Sequence, residues 1–332
     1  MGFQRHQREY QGRLLAERRL FSAAAATRDD DHSRRNSHLL ALGFEEENLY
    51  PLLRGPGGGI DYFGERGIPW HRTARSGDRS PVASSRGFPT RNLASSQVAC
   101  ANFLLPLASH RAALMAALRT LDVDVQDVLP IEHQGRMSLV ELEWVGAEQT
   151  LEPLPYKRGA NRTSTDAFVL ARIPGGRRAY LLEWKYVEEG EDEDKGEGTS
   201  GDTRRERYGA LFRESGLFRV DLDEALHEPV YQLMRFLLLG YRMKRDRELG
   251  VTDFRVVVVC PTGNETFRWC APAGWPPGKA LDTLEQTMKE RVLSNPGTFA
   301  MTSQRALLDA IRAAGIAALE PWVRYHEERY RW

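Results

Sequence analysis

Apolar positions recur with helical spacing most clearly over residues 229–249 (PVYQLMRFLLLGYRMKRDREL). Val230, Leu233, Met234, Leu237, Leu238 and Tyr241 fall at i, i+3, i+4, i+7, i+8 and i+11, which predicts one long amphipathic helix with Gly250 placed to close it. Two other stretches are rich in β-forming residues, 166–173 (DAFVLARI) and 179–187 (AYLLEWKYV). Pro174-Gly175-Gly176-Arg177 between them is turn chemistry, so the pair predicts a β-hairpin. Residues 138–145 (SLVELEWV) and 254–260 (FRVVVVC) read as further strands, the second a buried one. Residues 95–119 predict a helix, an interruption at Pro106 and a second helix. Further helices are expected near 203–218, 279–293, 303–314 and 320–331. The acidic, glycine-containing stretch from Glu188 to Asp202 reads as a solvated, mobile loop.

Residues 1–94 carry a weaker pattern. A helix is expected from Arg5 to Ala26, but 54–90 is dense in Gly, Ser, Arg and Pro and reads largely as loop. Ile60-Asp61-Tyr62-Phe63 and Ile68-Pro69-Trp70-His71 are apolar exceptions, expected to dock on the rest. The division predicted is therefore a partly irregular, Arg/Gly-rich extension over 1–94, docked on a main domain over 95–332.

Composition narrows the function classes. The 332 residues balance 46 basic against 46 acidic side chains, so any nucleic-acid binding has to come from local patches. Cys100, Cys260 and Cys270 form no CxxC pair, which argues against a disulfide framework or a thiolate zinc site and fits a reducing compartment. The beginning of the chain has no apolar leader pattern, and runs such as Val256–Cys260 are too short to span a bilayer, so a cytoplasmic protein without membrane partners is expected. Gly55–Gly59 lacks the Gly-Lys-Ser/Thr of a phosphate loop, and neither Gly-x-Ser-x-Gly nor HExxH occurs. His71 beside Trp70 reads as a packed or exposed histidine.

The hairpin carries the candidate chemistry. With the turn centred on Gly175–Gly176, Asp166 lies opposite Lys185 and Phe168 opposite Glu183, so Asp166, Glu183 and Lys185 share one face. Tyr180, Leu182, Trp184 and Tyr186 then form an apolar opposite face. A slip of one residue would move Asp166 to that wrong face. Two carboxylates on one face supply hard oxygen ligands for magnesium or manganese, and a neighbouring ammonium can oppose charge building on a phosphate. Of the 46 basic residues only Lys157, Lys185, Lys195, Lys244, Lys279 and Lys289 are lysines, which makes a lysine in mid-strand conspicuous. Glu143 in VELEW is a candidate third acid, or equally an exposed strand glutamate. Arg242, Lys244, Arg245 and Arg247 suit the C-terminal end of a helix dipole. Alternatively Lys244 touches DNA phosphates, together with Arg158, Arg162, Arg204 and Arg235.

Asp166 followed by Glu183-Trp184-Lys185 resembles the signature of the PD-(D/E)xK nuclease superfamily. Gly67-Ile68-Pro69-Trp70-His71, Ser96 to Leu104, Glu143-Trp144, Arg158-Gly159-Ala160-Asn161 and Thr163 to Ala167 extend the likeness to a bacterial restriction-endonuclease-like group. That resemblance implies an α/β fold with a mixed central sheet flanked by helices. It also implies Asp166 and Glu183 as metal ligands, and Lys185 as the catalytic lysine. Gln232 in Gln232-Leu233-Met234-Arg235-Phe236 resembles the glutamine-led helix motif of the exonuclease-like branches, with Phe236 where that motif usually has Tyr. Thr165 stands in place of the nominal Pro. The activity expected is magnesium-dependent hydrolysis of DNA, in host defence or DNA processing, by a chain that could pair as a homodimer. The alternative is a catalytically silent nucleic-acid-binding or protein-interaction module of the same fold.

Overall fold

The computed structural model describes residues 2–28, 30–71, 87–133, 135–146, 151–152, 162–190, 193–270 and 283–332. Its centre is a six-stranded mixed sheet. The long hairpin forms as the sequence predicts, from β5 (Thr165–Ile173) and β6 (Gly176–Trp184). On its far side, β1 (Asp127–Leu129) and β4 (Glu141–Trp144) pair antiparallel with successive parts of β5. On its near side, β7 (Asp253–Val259) runs parallel to β6, and β8 (Phe299–Thr302) runs parallel to β7. A separate ribbon joins β2 (Ile131–His133) to β3 (Arg136–Ser138).

Both faces of the sheet are covered. Ala167, Val169, Tyr180, Leu182, Trp184, Val257 and Val259 share a core with α2 (Ser96–Leu104), α3 (Arg111–Arg119), α6 (Gln304–Ala313) and α7 (Glu320–Arg329). Phe168, Leu170, Leu181, Val256 and Val258 form a second core with α4 (Gly198–Ser215) and α5 (Val230–Arg245). Valines fill β7 because a strand covered on both faces has no polar side to show. Helix α5 buries the stripe its spacing announces. It ends at Arg245, and Gly250, at φ +72°, closes the short turn that follows instead.

Helix α1 (Phe3–Glu17) is tied to the last turns of the chain. Gln7 donates to the Arg331 carbonyl at 2.6 Å, and Gln11 donates to the Arg329 carbonyl at 2.8 Å and to the Tyr186 hydroxyl at 2.9 Å. Residues 49–70 enter the first core directly, through Leu49, Leu53, Phe63, Ile68 and Trp70. Phe63 and Trp70 stack at 3.6 Å. The short helix Gly59–Glu65 and the residue after it bring Tyr62 and Arg66 onto Glu141. Arg66 grips both carboxylate oxygens at 2.9 and 3.1 Å, and Tyr62 donates to one of them at 3.1 Å.

His326 in α7 is fully buried, with Nε2 3.2 Å from the Asn102 carbonyl oxygen. Burial pushes its pKa down from 6.5 to about 3. Unfolding therefore takes up a proton at this site below the ordinary histidine pKa. The stability is present above about pH 6.5 and is lost as pH falls toward 3. Between pH 7 and 5 this one group should cost about 2 kcal/mol. Urea unfolding of wild type and His326→Gln at both pH values checks it, and equal pH slopes in the two proteins would contradict it.

Candidate active site

The hairpin register decides which side chains meet. Pro174 fixes its own φ, Gly175 takes φ +83°, and Gly176 already pairs with Ile173, so the corner lies at Pro174–Gly175. Gly176 cannot carry a side chain there, because a Cβ would lie 2.1 Å from the Thr252 hydroxyl. The predicted centre at Gly175–Gly176 is thereby corrected. Ala167 faces Leu182, which brings Asp166 level with Glu183 rather than with Lys185. The shift is two residues and not one, so the side-chain alternation is kept. Asp166 and Glu183 remain on one face, flanked by Phe168 and Leu181 of the second core.

The same level extends to β4. Leu142 pairs with Ala167 and Trp144 with Thr165, so Glu143 lies beside Asp166. Glu143 itself has φ +51°, in the left-handed region that a non-glycine residue rarely occupies. Its consequence is visible on either side. Leu142 packs in the first core, whereas Trp144 stacks on Phe168 in the second at 4.4 Å. In a regular strand those two would share a face. Glu143 is therefore not the exposed strand glutamate of the alternative reading. Its carboxylate accepts from Gln97 at 3.0 Å and from Ser164 at 2.8 Å, with His71 Nε2 at 3.7 Å.

Glu183 is 5% exposed, and one of its oxygens meets two donors. Lys185 Nζ lies 2.8 Å from Glu183 Oε1, and Gln232 donates to the same oxygen at 2.9 Å. Gln232 closes the triangle by accepting from Lys185 at 3.1 Å. A single amide at the start of α5 thus fixes an acid and a base from β6 and the residue just past it. Burial opposes the charge on Lys185, but Glu183, Glu188 and Asp166 outweigh it and hold the ammonium above the usual lysine range. Asp166 behaves oppositely. Burial, then Glu183 and Glu143, raise its carboxyl well above the ordinary value, against the pull of Lys185 and of the Trp184 N–H that donates to it at 2.6 Å. Cys100 lies under the same carboxylates. Burial pushes its thiol up, and Asp166, Glu143 and Glu183 push it further, so it is a neutral thiol and not a nucleophile.

Crowded carboxylate oxygens with one ammonium nearby are a donor set that fits a hard divalent cation, which would relieve the repulsion raising Asp166. Among the described residues, no group of three or more His, Cys, Asp or Glu side chains closes on one metal-sized position.

The proposed basic contacts separate. Arg235 faces inward: its Nε donates to Thr163 Oγ1 at 2.9 Å and a terminal nitrogen lies 3.6 Å from the buried Glu152. Glu152 also accepts from Tyr208 at 2.8 Å and from the Thr163 N–H at 2.7 Å. This cluster anchors the segment leading into Asp166. Arg162 is partly buried near Glu152, with its Nε lacking a partner among the described residues. Arg204 donates to the Lys195 carbonyl at 2.6 Å. Lys244 is exposed, roughly 18 Å along α5 from Gln232 at 1.5 Å per residue. Arg158 lies outside the described residues. Sequence reasoning missed Gln97 and Ser164, the two side chains that hold Glu143. An amide, one of two with Asn102, inside the otherwise largely apolar SSQVACANFLL helix was the available signal for Gln97.

No curated protein and no solved structure matches the chain. No helix among the described residues is long and apolar enough to cross a membrane. A family whose description reads "Restriction Endonuclease associating with ARP" matches residues 60–331, from the helix that carries Tyr62 to the end of α7. That span contains Glu143, Asp166, Glu183, Lys185 and Gln232, and the chain belongs to this restriction-endonuclease family.

Proposed function

We propose that the chain is a magnesium- or manganese-dependent DNA endonuclease of the PD-(D/E)xK type. The observation that carries this reading is the common level of Glu143, Asp166 and Glu183 across three neighbouring strands, with Lys185 bonded to Glu183 and Gln232. Asp166 and Glu183 would hold the ion. When bound, such an ion lowers the pKa of a water and polarises a phosphoryl oxygen. The chain's own residues supply the rest. Lys185 presents a permanent positive charge where negative charge builds on the phosphate. Gln232 is a positioning residue, since it bonds both Glu183 and Lys185. The Trp184 N–H orients Asp166, and Gln97 with Ser164 orients Glu143, which could add an oxygen ligand through water.

The direct test is supercoiled plasmid incubated with the full chain. Nicked and linear products should appear with magnesium or manganese and vanish with excess EDTA. Cleavage that survives chelation sinks the reading, as does intact plasmid with either metal. Gln232→Ala should keep the fold and lower the cleavage rate by about 10- to 100-fold, the size expected for loss of a group that orients metal ligands. An unchanged rate in single-turnover kinetics would remove Gln232 from the site.

A further inference from the structure

Beside the carboxylate row lies a cavity of about 340 Å³ that no step above uses. Four cationic side chains line it, Lys195, Arg204, Arg207 and Arg235, with Glu228 as the lining carboxylate; behind the wall Lys195 pairs with Glu193 and Arg235 with Glu152. Its wall contains no aliphatic side chain; the remainder is Ser200, Thr203, Tyr208 and Tyr231. Tyr231 is only 7% exposed, and Arg204 and Arg235 each lie 5.5 Å from its ring centroid. The tyrosine thus lines the cavity between two guanidinium groups. Ser200 belongs to the first turn of α4, whose N-cap residue Glu197 makes no side-chain cap. The approach is Lys195-Gly196-Glu197-Gly198-Thr199-Ser200-Gly201. Gly198 has φ +60°, and a Cβ on Gly201 would lie 1.8 Å from the Gly196 carbonyl. A glycine-built turn opening a helix beneath a group of cations is chemistry for a phosphate.

The cavity adjoins the carboxylate row. Glu228, Tyr231 and Arg235 lie on one stripe of α5 and its approach, and Gln232 follows Tyr231 directly. Glu228 accepts the Gln232 N–H at 3.2 Å, so cavity and site share a helical turn. We infer that this cavity binds a phosphate of the DNA strand next to the one cut at Asp166 and Glu183. The mainly polar, cation-rich wall favours a phosphate as the group held. This inference rests on the nuclease reading for whose phosphate it is, not for the phosphate site itself.

Binding can be measured without cleavage, by fluorescence anisotropy in EDTA over a range of salt. The ligands are two matched duplexes, one 5′-phosphorylated and one with 5′-hydroxyl ends. Ser200→Asp places a carboxylate in the cavity at a helix position where the dipole favours it, so the melting temperature should be kept or raised. Affinity should fall about 10-fold or more, and the slope of log K against log salt should drop by about one. Tyr231→Phe, which removes only the hydroxyl, should weaken binding a few-fold. A loss confined to the phosphorylated duplex assigns the cavity to a strand end; an equal loss on both assigns it to an internal phosphate. Wild-type affinity and slope in Ser200→Asp overturns the site, whatever the plasmid assay shows. A Ser200-dependent affinity in a chain that never cuts DNA keeps the site and rejects the nuclease.

Discussion

Lys185→Ala should lower DNA cleavage by about 10³-fold or more while DNA binding changes only a few-fold. The size follows from removing a fixed charge from a largely buried position, where it stabilises the reacting phosphate more than the bound one. Lys185 sits 2.8 Å from Glu183 and is bonded to Gln232, so its place is set before substrate arrives. Lys185→Arg should not restore activity, because a planar guanidinium cannot occupy the point where a compact ammonium meets two oxygens. Gln232 continues to donate to Glu183 in the alanine variant, which limits the damage to folding. Single-turnover cleavage with saturating metal, beside a thermal melt, separates the two effects. A correctly folded Lys185→Ala protein that cuts within about 10-fold of wild type would remove Lys185 from the chemistry.

Glu141→Ala should cost about 3–5 kcal/mol of stability. Its side chain is 1% exposed and that of Arg66 is 7% exposed, so the change strands a buried guanidinium. Tyr62 loses an acceptor as well, although its hydroxyl still accepts the Leu142 N–H at 2.7 Å. Burial, followed by the charge of Glu141, holds the Tyr62 phenol far above its ordinary pKa, so that proton stays on oxygen. Denaturant unfolding should show the loss. The double change Arg66→Met, Glu141→Leu should recover most of it, since apolar groups of similar volume often replace a buried pair without cost. A Glu141→Ala midpoint within about 1 kcal/mol of wild type would mean that water reaches Arg66. Glu141 opens the strand that carries Glu143, so activity should fall in step with folding.

Local patterns made the hairpin, the stripe of α5 and the valine strand legible, because each is set by side-chain period. The face shared by Asp166 and Glu183 was legible for the same reason, and it survived the two-residue change in register. That change came from Pro174, which takes a corner of the turn and leaves Gly176 to start the ladder against Thr252. What periodicity cannot reveal is a residue that breaks it. Glu143 at φ +51° switches its strand's faces, and nothing in VELEW announces this. Buried ion pairs were equally hidden, since Arg66 with Glu141 and Arg235 with Glu152 are long-range partners. The stretch expected to be a solvated, mobile loop over 188–202 is corrected in its second half. Helix α4 begins at Gly198, and Asp194 bridges to His227. Its charge run masked the glycine spacing at 196, 198 and 201. Short strands such as β1 and β8 carry too few residues to show a period at all.

Diffraction from a crystal of the full chain soaked in manganese, collected at the manganese absorption edge, tests the central claim most directly. One anomalous peak should lie within roughly 2.0–2.5 Å of carboxylate oxygens of both Asp166 and Glu183. A peak held by neither residue, or none at saturating manganese, would contradict it.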